Sequence, residues 1–318
     1  MHHLPSVASR TALILALGAS TISVLPAQAQ TARVVDDPSD VMNGAMPKFP
    51  AFPKLARKPG HIRGWVKDSR GKPIKNARIE IGSTRIGGAK TYVTARSDEK
   101  GLYEVELPLG ACNVTGAGTV VTLGGMRANL PLHAVDGEID IFSAKKGDVE
   151  NFVLLPYGVA SPGGASENPT YEFYYYGGSI RLVYWTQSAD NPIPRDATIE
   201  VTLQPREPLI DGSKAPAFVI RQPVGETDLN TVNINNIPAT TYTISARLLR
   251  KGTTTPLHME DNKTSRRDGL KPKETSGTAT LIFSPKSGQD GPRTLNYTGW
   301  EPIMIDLSLE SAIKAGDE

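Results

Sequence analysis

The feature that most constrains this chain is a series of short, period-two apolar alternations, each closed by turn residues, that begins at His61. Ile62, Gly64 and Val66 share one side of the first run, and Ser69-Arg70-Gly71-Lys72 then turns the chain. Ala77, Ile79 and Ile81 alternate again, Tyr92 to Ser97 is a further run, and Asp98-Glu99-Lys100-Gly101 leads into Leu102, Tyr103, Val105 and Leu107. A period of two sends alternate side chains to opposite faces, so runs of this length and spacing predict an antiparallel β-sandwich. With 30 Gly and 25 Pro among 318 residues, long helices are excluded as the main element, while 39% hydrophobic residues suffice for a core.

A second region of the same kind begins at Gly177, after a loop from Ser161 to Thr170 rich in Pro, Gly, Ser and Asn. It echoes the first. Pro73-Ile74-Lys75-Asn76-Ala77-Arg78-Ile79-Glu80-Ile81 aligns with Pro192-Ile193-Pro194-Arg195-Asp196-Ala197-Thr198-Ile199-Glu200-Val201 through one inserted residue. Leu107-Pro108-Leu109-Gly110-Ala111-Cys112-Asn113-Val114 aligns with Ile237-Pro238-Ala239-Thr240-Thr241-Tyr242-Thr243-Ile244. Two echoes in the same order predict a duplication. The predicted fold is all-β, with two tandem Ig/transthyretin-like antiparallel sandwiches at 61–156 and 177–309. A linker at 157–176 joins them, a Pro-rich tether at 30–60 precedes them and a tail at 310–318 follows. The tether carries Pro38, Pro47, Pro50, Pro53 and Pro59 and is expected to be extended and poorly ordered.

The first 29 residues read as a secretory signal peptide: Arg10, an apolar stretch from Thr11 to Leu25, then Pro26-Ala27-Gln28-Ala29 with cleavage after Ala29. No later run is long and apolar enough to span a bilayer, so the mature chain is expected to have no membrane span. Cys112 is the single cysteine, which excludes an internal disulfide and a lipid anchor at the cleavage point. The formal net charge of +2 is too small for the footprint that a phosphate backbone demands, so nucleic acid is excluded as a partner.

The pattern Ile62-x-Gly64-x-Val66-x-Asp68-x-x-Gly71-x-Pro73-Ile74-x-x-Ala77-x-Ile79, with Ser97-Asp98-x-x-Gly101-x-Tyr103 and Leu107-Pro108-x-Gly110, resembles the carboxypeptidase regulatory-like domain family over residues 61 to about 120. The resemblance implies a transthyretin-like, seven-stranded sandwich acting as an accessory, surface or binding module, with no reaction of its own. Gly147 to Leu154 looks like the end of such a module in exported multi-module bacterial proteins. One departure is Cys112, which stands where the family usually has an aromatic; Tyr242 keeps that aromatic in the second region, where Thr240 replaces the glycine.

Candidate chemistry is sparse. Beyond the leader, His61, His133 and His258 are far apart, with no His-x-x-x-His or Cys-x-x-Cys pair, and His133-x-x-Asp136 and His258-x-x-Asp261 offer two ligands each at most. No Gly-x-Ser-x-Gly elbow is present, and the Tyr-Arg-Gly-Ser ending of the transthyretin-like hydrolases is absent. The chain is therefore expected to be non-enzymatic, with no catalytic residue, cofactor or metal. The most unusual stretch places Tyr171, Phe173, Tyr174, Tyr175, Tyr176, Tyr184 and Trp185 within 15 residues. Either these rings seal the junction between two sandwiches, or Tyr174, Tyr175, Tyr176, Tyr184 and Trp185 form a ligand surface suited to a glycan or a protein partner. Since Tyr174 to Tyr176 are consecutive, they cannot all face one core. The mixed-charge segment Lys251 to Lys273, with Lys263, Arg266, Arg267 and Lys271 against Glu260, Asp261 and Asp268, reads as a solvated loop or a contact for an anionic polymer. These features point to a binding or structural module of the cell envelope, taking an envelope protein or a glycan, with an uncharacterised hydrolase as the third class.

Overall fold

A computed structural model describes residues 32–137, 139–187, 192–262, 269–286, 293–295 and 297–309. The predicted leader at 1–29 and the tail at 310–318 lie outside the described residues. The fold is all-β and consists of two sandwiches in tandem.

After a short strand β1 (Arg33–Val35), the first sandwich comprises β2 (His61–Asp68), β3 (Arg78–Thr84), β4 (Lys90–Arg96), β5 (Leu102–Glu106), β6 (Ala111–Leu123), β7 (Met126–Pro131), β8 (His133–Ala134), β9 (Phe142–Ser143), β10 (Asp148–Val149) and β11 (Phe152–Leu154). One helix, α1 (Pro162–Glu167), lies in the connection. The second sandwich comprises β12 (Gly178–Trp185), β13 (Thr198–Pro205), β14 (Phe218–Pro223), β15 (Leu229–Ile237), β16 (Tyr242–Arg250), β17 (Thr253–Asp261), β18 (Leu270–Lys271), β19 (Glu274–Thr275), β20 (Thr278–Leu281) and β21 (Ile303–Leu309).

The strand pairings repeat. In the first sandwich β2 lies between β5, antiparallel, and β11, parallel, and the facing sheet runs β4-β3-β6-β7. In the second, β12 lies between β15, antiparallel, and β21, parallel, and the matching sheet runs β14-β13-β16-β17. Even the strand that crosses between sheets is shared. β17 pairs β16 through Thr253–Pro256 and β21 through Leu257–Asp261, while its counterpart breaks at Leu132 into β7, paired with β6, and β8, paired with β11. The sequence echoes sit at matching places: the Ser97 N–H donates to the Ala77 carbonyl at 3.0 Å, and the Val224 N–H to the Ala197 carbonyl at 3.0 Å.

Local chemistry explains the strand ends. Asp68 accepts the N–H groups of Arg70 and Lys72 at 3.0 and 2.9 Å, and Asp98 accepts those of Lys100 and Leu102 at 2.8 and 2.9 Å. Each turn then needs a left-handed residue three positions after the aspartate, and Gly71 and Gly101 supply φ of 89° and 80°. β2 alternates buried and half-buried along its whole length, with Ile62, Gly64 and Val66 inside. At the Leu-Pro corner of the second sandwich the Tyr242 hydroxyl donates to the Pro238 carbonyl at 2.8 Å, and in the first the Cys112 thiol stands 3.6 Å from the equivalent Pro108 carbonyl. The cysteine thus points at the corner's carbonyl as the tyrosine does, with a weaker donor.

Residues 45–58 of the Pro-rich stretch form no helix or strand, and the stretch is fastened to the fold. β1 adds in parallel to β14, Val41 and Met42 are buried in the common core, and the carbonyls of Ala51 and Pro53 accept from Lys67 Nζ and Trp65 Nε1. Proline removes donors but leaves every carbonyl available, so such a segment binds through its acceptors. Its expected poor order is replaced by this packing.

Candidate functional site

Both sandwiches point the same way along the chain, which gives each a head, where β2 or β12 begins, and a tail, where it ends. The tail of the first rests on the head of the second. There the Ala239 N–H donates to the Pro156 carbonyl at 2.8 Å, Arg70 reaches the Gly212 carbonyl at 2.9 Å, and the Ser69 hydroxyl bonds Asp211. Arg293 lies along Gly118, donates from Nε to the Asn129 carbonyl at 2.9 Å, and accepts the Ala117 N–H on its own carbonyl at 2.9 Å. Burial lowers its guanidinium below the usual arginine range, with Glu301 opposing that shift.

Asn236 is the hub of this joint. It is fully buried at φ 58°, accepts the Gly158 N–H at 2.7 Å on Oδ1, and donates from Nδ2 to Asp40 Oδ1 at 2.8 Å. Its neighbour Asn235 accepts the Val41 N–H on its carbonyl and donates from Nδ2 to the Pro169 carbonyl. The segment 32–60, the connection 157–176 and the second sandwich thus meet on two asparagines.

The predicted aromatic surface divides here. Tyr175, Tyr176 and Tyr184 are buried and present no stacking face. The Tyr175 hydroxyl donates to the Pro169 carbonyl at 3.0 Å, and burial, with Asp40 and Asp37 nearby, pushes the phenol up to about 12. The Tyr176 hydroxyl lies 2.8 Å from Nδ1 of the buried His133, with the rings edge to face. Burial lowers the imidazole's proton affinity, against Asp136, and raises the phenol's, so both groups are held in their neutral forms across this bond. Tyr184 accepts the Gly225 N–H at 3.1 Å, and burial raises its phenol. Tyr174 packs on Gly164 of α1, where a Cβ would overlap its ring, and meets Phe173 at 4.3 Å.

Beyond the joint, Tyr171, Phe173 and Tyr297 form a parallel ladder with centroids 5.3 and 5.5 Å apart, and the Lys286 ammonium lies 4.3 Å over the Tyr297 ring. Phe173 and Tyr297 thus each have two close neighbours at their rings. Trp185, the fifth predicted residue, is 42% exposed and lies at the opposite end of β12, directly across from Leu229 of β15. The five predicted residues are not brought together into one surface: four belong to or flank the packed interior and one stands at the tail.

The histidines do not converge either. His258 lies 3.5 Å from the Ser276 hydroxyl, and Asp261 accepts the N–H groups of Gly269 and Leu270 at 3.1 Å. Among the described residues no group of three or more His, Cys, Asp or Glu is placed to hold a metal. A cleft of about 320 Å³ beside β10 gathers Asp136, Asp140, Asp148 and Glu150, with Arg57 3.0 Å from Asp148. Burial, reinforced by Asp136 and Asp148, raises the Glu150 carboxyl to about 8. Lys263, Arg266, Arg267 and Asp268 of the mixed-charge segment lie outside the described residues. No helix among the described residues is long and apolar enough to cross a membrane.

Sequence reasoning missed Asn235, Asn236 and Arg293, whose partners are far away in the chain. Strand pairing and joint together define the class, a tandem, internally duplicated β-sandwich protein. No family model matches the chain, and no curated protein matches it. Among solved structures it is similar to the Bacillus anthracis TIE protein, at 11% identity over 78% of this chain and 34% of that one with a TM-score of 0.29. It is also similar to a DUF3823 family protein from Bacteroides ovatus, at 11% identity over 70% of this chain and 96% of that one with a TM-score of 0.18. A third is the C-terminal fragment of the pilus adhesin SpaC from Lactobacillus rhamnosus, at 9% identity over 78% and 97% with a TM-score of 0.23. The chain spans about a third of the length of the Bacillus anthracis protein. Superpositions this loose carry no functional argument, and the architecture rests on the pairings above.

Proposed function

We propose that this chain is a non-enzymatic, exported scaffold or binding module of the cell envelope, whose two sandwiches are the domains at 61–156 and 177–309 and whose connection at 157–176 is a structured joint. The observation that carries this reading is the joint itself. Buried asparagines, a His133–Tyr176 pair and Arg293 tie the segment 32–60, the first sandwich, the connection and the second sandwich together, and Tyr175 and Tyr176 are buried in that packing. Two sandwiches fastened to each other by buried hydrogen bonds suit holding partners at a set distance. The paired Asp-x-x-Gly turns and the Leu-Pro corners support the resemblance of the first sandwich to the carboxypeptidase regulatory-like family. Export rests on the leader at 1–29, and the proposed partner is an envelope protein.

One observation favours a second reading, a carbohydrate-binding module: Trp185 and Tyr171 remain partly exposed and can stack on a sugar ring. The test is a pull-down of the mature chain from envelope extract, run beside a glycan-binding screen, with Trp185→Ala and Tyr171→Ala as controls. A stoichiometric protein complex supports the scaffold. Glycan retention lost in either control, with no protein captured, refutes it in favour of the second reading.

A further inference from the structure

The Pro-rich stretch is held on the first sandwich by a small apolar cluster separate from the main core. Val153 and Leu155 at the end of β11, Ala160 and Tyr176 of the connection, and Met46 and Phe49 of the Pro-rich stretch pack together there with Val135. His133 stands at this cluster. Its ring meets Phe49 at 5.2 Å and Tyr176 edge to face at 5.5 Å, it lies opposite Val153 in the strand pairing, and its Nδ1 is 2.8 Å from the Tyr176 hydroxyl. One buried imidazole thus touches three stretches that are remote in the chain: β11, the connection and the Pro-rich stretch.

A proton on this ring places a charge among apolar side chains. The Tyr176 phenol can turn from donor to acceptor, so the bond itself can survive, but the charge stays without water. Asp136, in the turn after β8, favours the charged ring, and burial outweighs it. On the elements packed here the other titratable groups are Glu150 just before β11, the exposed Lys48 beside Phe49, and Tyr175 and Tyr176 of the connection. Hydrating the charged ring requires one of its covers to move, and the covers are held unequally. β8 is paired to β11, and the Tyr176 N–H donates to the Gly158 carbonyl at 2.9 Å. Residues 46–57 make no backbone-to-backbone hydrogen bond among the described residues. They are held by Met46 and Phe49 in the cluster, by Phe52 under the Lys67 ammonium, by the carbonyls of Ala51 and Pro53, and by the exposed Arg57 against Asp148. The Pro-rich stretch is therefore the cover that yields.

We propose that His133 is an acid-operated latch: protonation of its ring releases residues 45–58 from the first sandwich, leaves both sandwiches folded, and uncovers Trp65 and Lys67 on β2. The direction follows from burial. In the released form the imidazole has its ordinary value of 6.5, and in the closed form a lower one. The closed form is therefore fully favoured above 6.5, and each pH unit below that shifts the balance toward release by up to about tenfold, until the closed form's own value is passed. Release changes the surface that the first sandwich offers, from a proline-rich cover to an indole and an ammonium on a strand face. The inference goes beyond the scaffold reading and needs no partner for its test, so either can fail while the other stands.

The test is acrylamide quenching of tryptophan fluorescence in the mature chain carrying Trp185→Phe. That change removes the exposed indole, and Trp300 is buried, so Trp65 reports. Between pH 7.5 and pH 5 the quenching constant is expected to rise about twofold, with its midpoint below 6.5 and the far-ultraviolet circular dichroism unchanged. His133→Gln, neutral at both pH values, is expected to lose the rise. Phe49→Ala, which removes the cover from the ring, is expected to show the high value already at pH 7.5. Equal quenching at both pH values overturns the proposal, as does a rise that persists in His133→Gln, which belongs to another group. A rise that comes with loss of the β-sheet signal is acid unfolding and overturns it as well. Should His133→Gln fail to fold, Phe49→Ala still decides: quenching at pH 7.5 as low as in the parent chain refutes the latch.

Discussion

Replacing Asn236 with alanine tests the joint most directly. The substitution removes the acceptor of the Gly158 N–H, a bond of 2.7 Å, and the donor to Asp40, a bond of 2.8 Å, at a fully buried position. Stranding a buried backbone N–H costs about 1–3 kcal/mol. Asp40 still accepts the N–H groups of Met42 and Gly44, so its loss is smaller, about 1 kcal/mol. Asn236 also sits at φ 58°, where alanine is less tolerated than asparagine by roughly 1 kcal/mol. The expected total is about 3–5 kcal/mol, read as a fall in the urea midpoint followed by far-ultraviolet circular dichroism. Asn236→Gly separates the contributions, since glycine accepts the backbone angle but makes neither bond, and is expected to recover about 1 kcal/mol of the loss. Asn236→Asp keeps an acceptor for Gly158 but sets a carboxylate against Asp40, and is expected to destabilise more at pH 7 than at pH 4. If alanine and glycine both leave the midpoint within about 0.5 kcal/mol of wild type, the asparagine is not the hub and the rigid-joint argument fails.

Glu150→Gln is expected to leave stability near wild type at pH 5 and to raise it at pH 9. The carboxyl titrates near 8 in the folded protein against an ordinary value of 4.5, so its favourable contribution is complete below 4.5 and is lost as pH rises through 8. A gain of up to about 5 kcal/mol by pH 9, measured by urea unfolding at each pH, fits that sign, and a gain confined to low pH contradicts it. Tyr242→Phe removes the corner bond to Pro238 from a buried ring and is expected to cost about 1–2 kcal/mol, seen as a lower melting temperature in calorimetry. Gly64→Ala would put a Cβ onto the Glu150 carbonyl oxygen across the contact of β2 with β10, so loss of more than about 3 kcal/mol or failure to fold is expected on expression and circular dichroism.

Much of the architecture was legible in the residues because its causes are local. Period-two runs such as His61 to Asp68 and Thr198 to Pro205 identify strands wherever they sit, and aspartate followed three residues on by glycine identifies the turns at Gly71 and Gly101. The two echoes placed the duplication, which the matching strand orders bear out. The aromatic cluster was visible too, but alternation says only that neighbouring rings face opposite sides, not which sides are covered. Tyr175 and Tyr176 are buried where the connection folds back onto Pro169 and His133, Tyr184 is buried because β12 turns it into the core of the second sandwich, and Trp185, next along the strand, faces the other way.

The amino-acid sequence by itself therefore determined the all-β class, the tandem repeat, the turns and the apolar faces, since each follows from backbone sterics and side-chain alternation within a few residues. Only the tertiary structure decided what the faces meet. Asn236 takes its partners from 78 and 196 residues away, and nothing in its neighbours marks it from Asn235 or predicts its left-handed backbone. The same holds for the two heads: Leu109 and Ala239 occupy equivalent corners, and it is the packing of one sandwich on the other that buries the alanine and leaves the leucine in water.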